Sequence, residues 1–452
     1  MKRFLKTTLT FALLLVMSAP CVAAGRELNV YGKGGAGEWD NPILTQEHPE
    51  ITWQGGDALS GGADDFVQAL TARQPYDLYA MNYTGQNFTE VVQKGFAADL
   101  SGYPALAQYG ARLRPYLRDA LTFEGRLYGV PIRLSTSMWA YSPEAFALVG
   151  LKETDVPKTY AEFLDLLEWW LAEAPDADVQ FLRGARELRA ELANIITHEL
   201  IARYDASDAP EPFDSPQILE IYEKLDALDT TKLDAYLSSL EEGESYGRPT
   251  LFALSFDGLE VHNYEEYAGF VPISLRVTEN ETARVPVEMR LFFISADSAN
   301  ADAAALYLDA YLRGLDKSFP IVSQTGPHAP IENPRTQEQI EQLLKEREEL
   351  EAALAQPDAD AAGITQQLER NQLYMERTEA QRMLVPQENI DRMDLLEPSL
   401  YVPAYSPLGS MDSEGYRSIQ TLIGQYAARQ IDAVTLLRSI DQKLAMIALE
   451  GP

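Results

Sequence analysis

The sequence is short of cysteine, histidine and positive charge, and each shortage excludes something. Its one cysteine, Cys21, excludes a disulfide framework within the chain. Its four histidines, His48, His198, His262 and His328, are scattered without metal-ligand spacing, so no metal site is read. Only 37 Lys and Arg stand against 69 Asp and Glu, a net charge of −32. So acidic a surface repels nucleic acid, anionic lipid and anionic solutes at long range. No nucleophile elbow of the G-x-S-x-G kind occurs. The adjacent pairs Asp64-Asp65 and Glu241-Glu242 read as helix-start or surface charge, not as an acid/base couple. Beyond the N-terminus no stretch approaches the roughly 18 apolar residues that a membrane span needs.

What is present begins at the N-terminus. Lys2, Arg3 and Lys6 precede an apolar run from Leu9 to Met17, and Val22-Ala23-Ala24 fits a small-x-small cleavage site. Residues 1–24 therefore read as a secretory signal peptide, with an extracytoplasmic mature chain starting at Gly25. Pro20 before Cys21 argues against a lipid anchor at that cysteine.

Strand and helix patterns then alternate. Glu27 to Tyr31, Glu50 to Gln54 and Tyr76 to Met81 read as strands, with helices at Asn41 to Glu47 and Asp64 to Thr71. That order predicts an α/β domain with a largely parallel sheet. Helical periodicity follows at Thr159 to Glu173, Glu187 to Arg203, Ala301 to Leu312 and Tyr416 to Leu449; Pro249 to Phe256 and Val285 to Ile294 read as strands. Thr336 to Leu384 differs in kind: rich in Glu, Gln, Leu and Arg, and broken at Pro357, it predicts a helical hairpin. It serves as a solvated insertion or as a partner-binding coiled coil.

The ordered set His48-Pro49-Glu50-Ile51-Thr52, Pro75-Tyr76-Asp77-Leu78, Lys94-Gly95-Phe96, Gly125-Arg126-Leu127-Tyr128-Gly129-Val130-Pro131, Tyr141-Ser142 and Pro157-Lys158-Thr159-Tyr160 carries a resemblance. With Gln430-Ile431-Asp432 and Ile440-Asp441-Gln442-Lys443-Leu444 near the end, the chain resembles the extracellular solute-binding proteins of ABC transporters, family 1, a largely carbohydrate-binding group. The resemblance implies a periplasmic-binding-protein-like fold: two α/β lobes joined by a multi-crossing hinge, here with an inserted helical hairpin. It divides the chain into 25–131 (first lobe), 132–284 (second lobe), 285–330 (first lobe again), 331–385 (hairpin) and 386–452 (C-terminal helices completing the second lobe). Crossings are expected near Val130 to Arg133, Ala283 to Pro286 and residues 320–386. The implied function is capture of an uncharged polar solute, a sugar or oligosaccharide, by a monomer that delivers it to a membrane permease without cofactor or turnover.

Sugars stack on aromatic faces and hydrogen-bond to carboxylates and amides, and ligands of open α/β sheets collect at the carboxyl ends of strands. On those grounds Trp39, Asp77, Asn82, Tyr83, Trp139 and Asp257 are the candidate ligand-binding residues. Gly32-Lys33-Gly34-Gly35-Ala36-Gly37 matches the dinucleotide fingerprint G-x-G-x-x-G. Glu38 and Asp40 would repel a pyrophosphate there, and Pro42 leaves little room for the required helix. The alternative readings are an exported glycoside hydrolase or NAD-dependent oxidoreductase, or an adhesion protein that uses the hairpin.

Overall fold

The computed structural model describes residues 26–32, 41–55, 69–83, 88–173, 179–182, 188–205, 212–229, 231, 249–263, 269–281, 284–356, 360–403 and 414–450. The signal segment, Trp39, and the Asp64-Asp65 and Glu241-Glu242 pairs lie outside them.

The first lobe starts with β1 (Arg26–Tyr31), helix α1 (Pro42–Glu47), β2 (Ile51–Gly55) and β3 (Leu78–Asn82), with β2 and β3 both parallel to β1. Asn41 caps α1, its side chain accepting from the Leu44 amide at 3.0 Å. Next come α2 (Pro115–Leu121), β4 (Val130–Thr136) and β5 (Met138–Tyr141). The chain passes into the second lobe through α3 (Tyr160–Glu173), β6 (Gln180–Leu182), α4 (Leu188–Asp205), α5 (Pro216–Ala227), β7 (Thr250–Phe256) and β8 (Val271–Ile273). It returns through β9 (Val285–Ile294) and α6 (Ala301–Gly314).

The ten-residue β9 shows how the sheet is assembled. Val285, Val287 and Met289 alternate with less buried residues, whereas Leu291 to Ile294 are all buried. The alternating residues already belong to the first core, and the change falls where β3 joins as a neighbour, so that the end of β9 lies between β3 and β4, antiparallel to both. The sheet is therefore mixed, parallel only in its first three strands and at the edge strand β12 described below. Between β4 and β9 the register shifts: Arg290 faces Arg133 and Leu291 faces Pro131, so Ile132 is an extra, bulged residue.

The hairpin opens with β10 (Ile331–Glu332), continues as α7 (Pro334–Leu354) and α8 (Ala361–Ala380), and closes with β11 (Met383–Val385), which pairs with β10. Inside it Asn371 is buried, its amide donating to the Leu343 carbonyl at 3.0 Å and to Glu346 at 3.2 Å. A buried Asn fixes the register of two packed helices. Leu344, Leu373 and Tyr374 are about half exposed, so the hairpin stands largely in solvent. Its base is tied to the main body by Asn263, whose backbone amide donates to Leu384 O at 2.9 Å and whose side chain donates to Ala380 O at 3.0 Å.

After the hairpin come α9 (Gln387–Leu396), β12 (Leu400–Tyr401), α10 (Glu414–Ala427) and α11 (Ala433–Glu450). The span 386–452 does not act as one unit. Ile390, Met393 and Leu400 join the first core, and Ile419 to Leu444 join the second. The third crossing is accordingly β12, parallel to β9 through Val285↔Leu400 and Pro286↔Tyr401, rather than residues 320–386. Two separate hydrophobic cores result, one per lobe. β5 is shared by period-two alternation: Met138 and Ala140 face the first core, Trp139 and Tyr141 the second.

Gly32, the first glycine of the apparent dinucleotide fingerprint, has a packing role. Its φ is +97°, and a Cβ there would lie 2.6 Å from the Ala80 carbonyl oxygen. Gly32→Ala is expected to destabilise the first lobe by about 1–3 kcal/mol through backbone strain, measured by urea unfolding. The remainder of that loop, residues 33–40, lies outside the described residues.

Candidate functional site

Two cavities meet at the crossings. The first, about 290 Å³, is lined by Trp139 from β5, Asn194, His198, Glu199 and Arg203 from α4, Ile273 from β8, and Arg284, Pro286 and Tyr401 from the crossing strands and their approaches. The second, about 610 Å³, lies on the first-lobe side and is lined by Tyr83, Tyr116, Asp119, Glu397 and again Tyr401. Tyr401 therefore borders both, as expected of a side chain on the strand that joins the lobes.

The α4 contribution follows from helical spacing. Asn194, His198 and Ala202 stand four apart, as do Ile195, Glu199 and Arg203, so one face of the helix meets the cavity. The other side packs Leu192, Ile196 and Leu200 into the second core. Trp139 Nε1 donates to Glu199 Oε1 at 3.0 Å. Burial pushes the Glu199 carboxyl up to about 7, against the opposing influences of Arg203 and the Trp139 hydrogen bond. Arg203 is fixed by Glu281 at 2.7 Å and by the Leu275 carbonyl. The Arg284 guanidinium lies 4.9 Å from the Tyr401 ring centroid, a cation–π distance. His198 stacks on Tyr416 with centroids 5.1 Å apart and meets Gln420 of α10; burial holds its pKa below the usual imidazole value.

The elevated Glu199 carboxyl has a consequence for stability. The native state binds a proton there that the unfolded chain releases above 4.5, so this contribution is full below pH 4.5 and disappears as pH rises through about 7. Between pH 5 and 8 wild type should lose more stability than Glu199→Gln, by of order 1 kcal/mol because the carboxyl is only half-buried. Parallel urea titrations of the two proteins test this; identical pH slopes would refute it.

Of the sequence candidates, Trp139 and Tyr83 border the cavities, and neither offers a stacking face. Trp139 is 2% exposed, and its ring meets Phe163 edge-on at 4.7 Å within the second core. Its indole N–H is already engaged by Glu199, so it shapes the cavity wall instead of carrying a sugar on its face. Tyr83 is buried against Phe88 with centroids 5.9 Å apart, and burial raises its phenol pKa. Asn82 ends β3 opposite Arg290 and lines neither cavity.

Asp77 belongs to a different place. It precedes β3, at the amino edge of the sheet, where it accepts from Asn29 N at 3.0 Å, Ser298 Oγ at 2.6 Å and Asn300 Nδ2 at 3.4 Å. It is a buried joint between β1 and the start of α6. Asp257 likewise fastens the backbone: it accepts from the Thr136 amide at 2.9 Å, Thr136 Oγ1 at 3.2 Å and the Leu259 amide at 3.0 Å. It thereby ties the end of crossing strand β4 to the end of β7. Glu199, Arg203, Arg284 and Tyr401 were not among the candidates. The only sequence signal for the first two is the four-residue polar spacing in a helix otherwise read as core.

No protein-family model matches the chain, and no curated protein matches it. Solved structures do. Maltose-bound MalE3 of T. maritima superposes with a TM-score of 0.53 at 14% identity, covering 93% of this chain and 99% of that one. The sugar-binding protein MalE of Xanthomonas citri gives 0.53 at 11% identity over 94% and 98%. The galacto-N-biose-/lacto-N-biose I-binding protein of the Bifidobacterium longum ABC transporter gives 0.53 at 12% identity over 94% and 98%. At such identities the likeness establishes the fold: the chain has the periplasmic-binding-protein-like architecture, with both lobes present.

Proposed function

We propose that this chain is the solute-binding component of an ABC uptake transporter, exported and monomeric, which captures a sugar between its lobes and passes it unchanged to a membrane permease. One observation carries this reading. A cavity with both apolar and polar lining lies between two independently packed cores, so closure of one on the other would enclose a ligand and report its presence. The fold neighbours that bind maltose and lacto-N-biose support a sugar. Among the described residues no helix is long and apolar enough to cross a membrane, which suits delivery to a separate permease.

A saccharide library screened by thermal shift, followed by small-angle scattering, tests the proposal. A ligand at 100 times its Kd should add about 2.7 kcal/mol of stability. The loaded protein should be more compact, and the sugar should be recovered intact. Product formation, or binding without compaction, would overturn it.

A further inference from the structure

Two cavities of unequal size share Tyr401 as a lining residue. Ligand sites run from about 300 to 1,000 Å³. The cavity at Trp139, about 290 Å³, stands at the bottom of that range, and its neighbour, about 610 Å³, is well inside it. A ligand filling only the first leaves the larger space beside it unused, whereas a chain of linked units can fill both.

Helix α2 supplies one wall of the larger cavity. Pro115 and Asp119 stand four apart, as do Tyr116 and Ala120, so one face of the helix lines it, while Leu117 and Leu121 pack into the first core. Pro398, Leu400 and Val402 add an apolar wall, which suits the C–H faces of a sugar ring. Most polar side chains of the lining are already engaged. The Tyr116 hydroxyl donates to the Val322 carbonyl at 2.9 Å and the Tyr401 hydroxyl to the Ala202 carbonyl at 3.4 Å. Glu397 is held by Arg114, and Tyr83 hydrogen-bonds to Thr89. Asp119 differs from these four: it is exposed and has no partner among the described residues. A carboxylate accepts at two oxygens, which matches a pair of neighbouring sugar hydroxyls.

We infer that the larger cavity is a second sugar subsite, so that the ligand is a disaccharide or a longer chain, with one unit at Trp139 and the next beside α2, where Asp119 accepts from its hydroxyls and selects for chain length. This deepens the sugar-binding reading above and rests on it. The lining of the larger cavity comes from the first lobe and from β12 with its flanks. One end of the ligand is therefore held by a single lobe, and the unit at Trp139 is the one that the second lobe encloses.

The test is calorimetric titration with three chain-length series: glucose, maltose and maltotriose; glucose, cellobiose and cellotriose; xylose, xylobiose and xylotriose. In at least one series the disaccharide should bind about tenfold or more tightly than its monosaccharide. Asp119→Asn should weaken that disaccharide by about tenfold and leave any measurable monosaccharide affinity nearly unchanged. Asp119→Ala serves as a second variant. Because the side chain is exposed and without a partner, neither variant should shift the melting temperature, which verifies that both are folded. A monosaccharide that binds as tightly as its oligomers overturns the inference while leaving sugar capture intact. So does an oligomer affinity that both variants leave unchanged, or a loss that falls on monomer and oligomer alike. Conversion of any sugar to product, or binding by no member of the three series, overturns both readings.

Discussion

Trp139→Ala is expected to lower stability by about 3–5 kcal/mol and to abolish ligand binding. The side chain is 2% exposed and packs edge-on against Phe163, which in turn touches Phe181 and Phe252 at ring separations of 5.4 and 5.1 Å. Its loss opens a void at the centre of the second core. It also strips Glu199 of its indole donor, so the carboxyl loses the partner that orients it. Trp139→Phe separates the two effects. It keeps most of the packing, so its stability cost should be about 1–2 kcal/mol, while binding should fall because Glu199 is no longer held. Urea unfolding and calorimetry on both variants give the answer. A Trp139→Ala protein as stable as wild type would mean that the second core is not centred on this ring.

The second large effect concerns Arg114, whose side chain is 2% exposed. It precedes α2 and reaches three partners: the Ile321 carbonyl, which accepts from Nε at 3.2 Å and Nη2 at 2.7 Å, Asp394 at 2.9 Å, and Glu397. Asp394→Asn with Glu397→Gln leaves a buried cation without a counter-charge and is expected to cost about 3–5 kcal/mol. Adding Arg114→Met to that pair should recover much of the loss, because a buried charge cluster replaced as a whole costs far less than one broken in half. If the double variant unfolds at the same urea concentration as wild type, the cluster contributes nothing. The effect should extend to binding, since Glu397 lines the second cavity three residues before β12.

These residues also show what the sequence could and could not convey. Strand and helix periodicities are local, and β1, β2, β3, α3 and β9 fall within a residue or two of where hydrophobic spacing put them. The hairpin was legible for the same reason, its Glu/Gln/Leu composition and helical spacing being carried by consecutive residues. Sheet direction is non-local, and nothing in Val285 to Ile294 announces that the strand runs antiparallel to its neighbours. Asp77 was misplaced by a similar margin: it belongs just before β3, which puts it at the opposite end of the strand from the crossings. Glu199 and Arg203 were hidden because a polar pair four apart on a helix usually faces water. Only the packing of α4 beside β5 and Tyr401 shows that they face a cavity instead.

The bulge at Ile132 interrupts the β4–β9 ladder within the first core, to which the segments on both sides of it contribute buried residues. One surplus residue opposite the Arg290–Leu291 step bends β4 and increases its twist there. Side chains alternate along a strand, so removing that one residue should turn those beyond it to the opposite face of the sheet, and a protein lacking Ile132 should unfold at a clearly lower urea concentration.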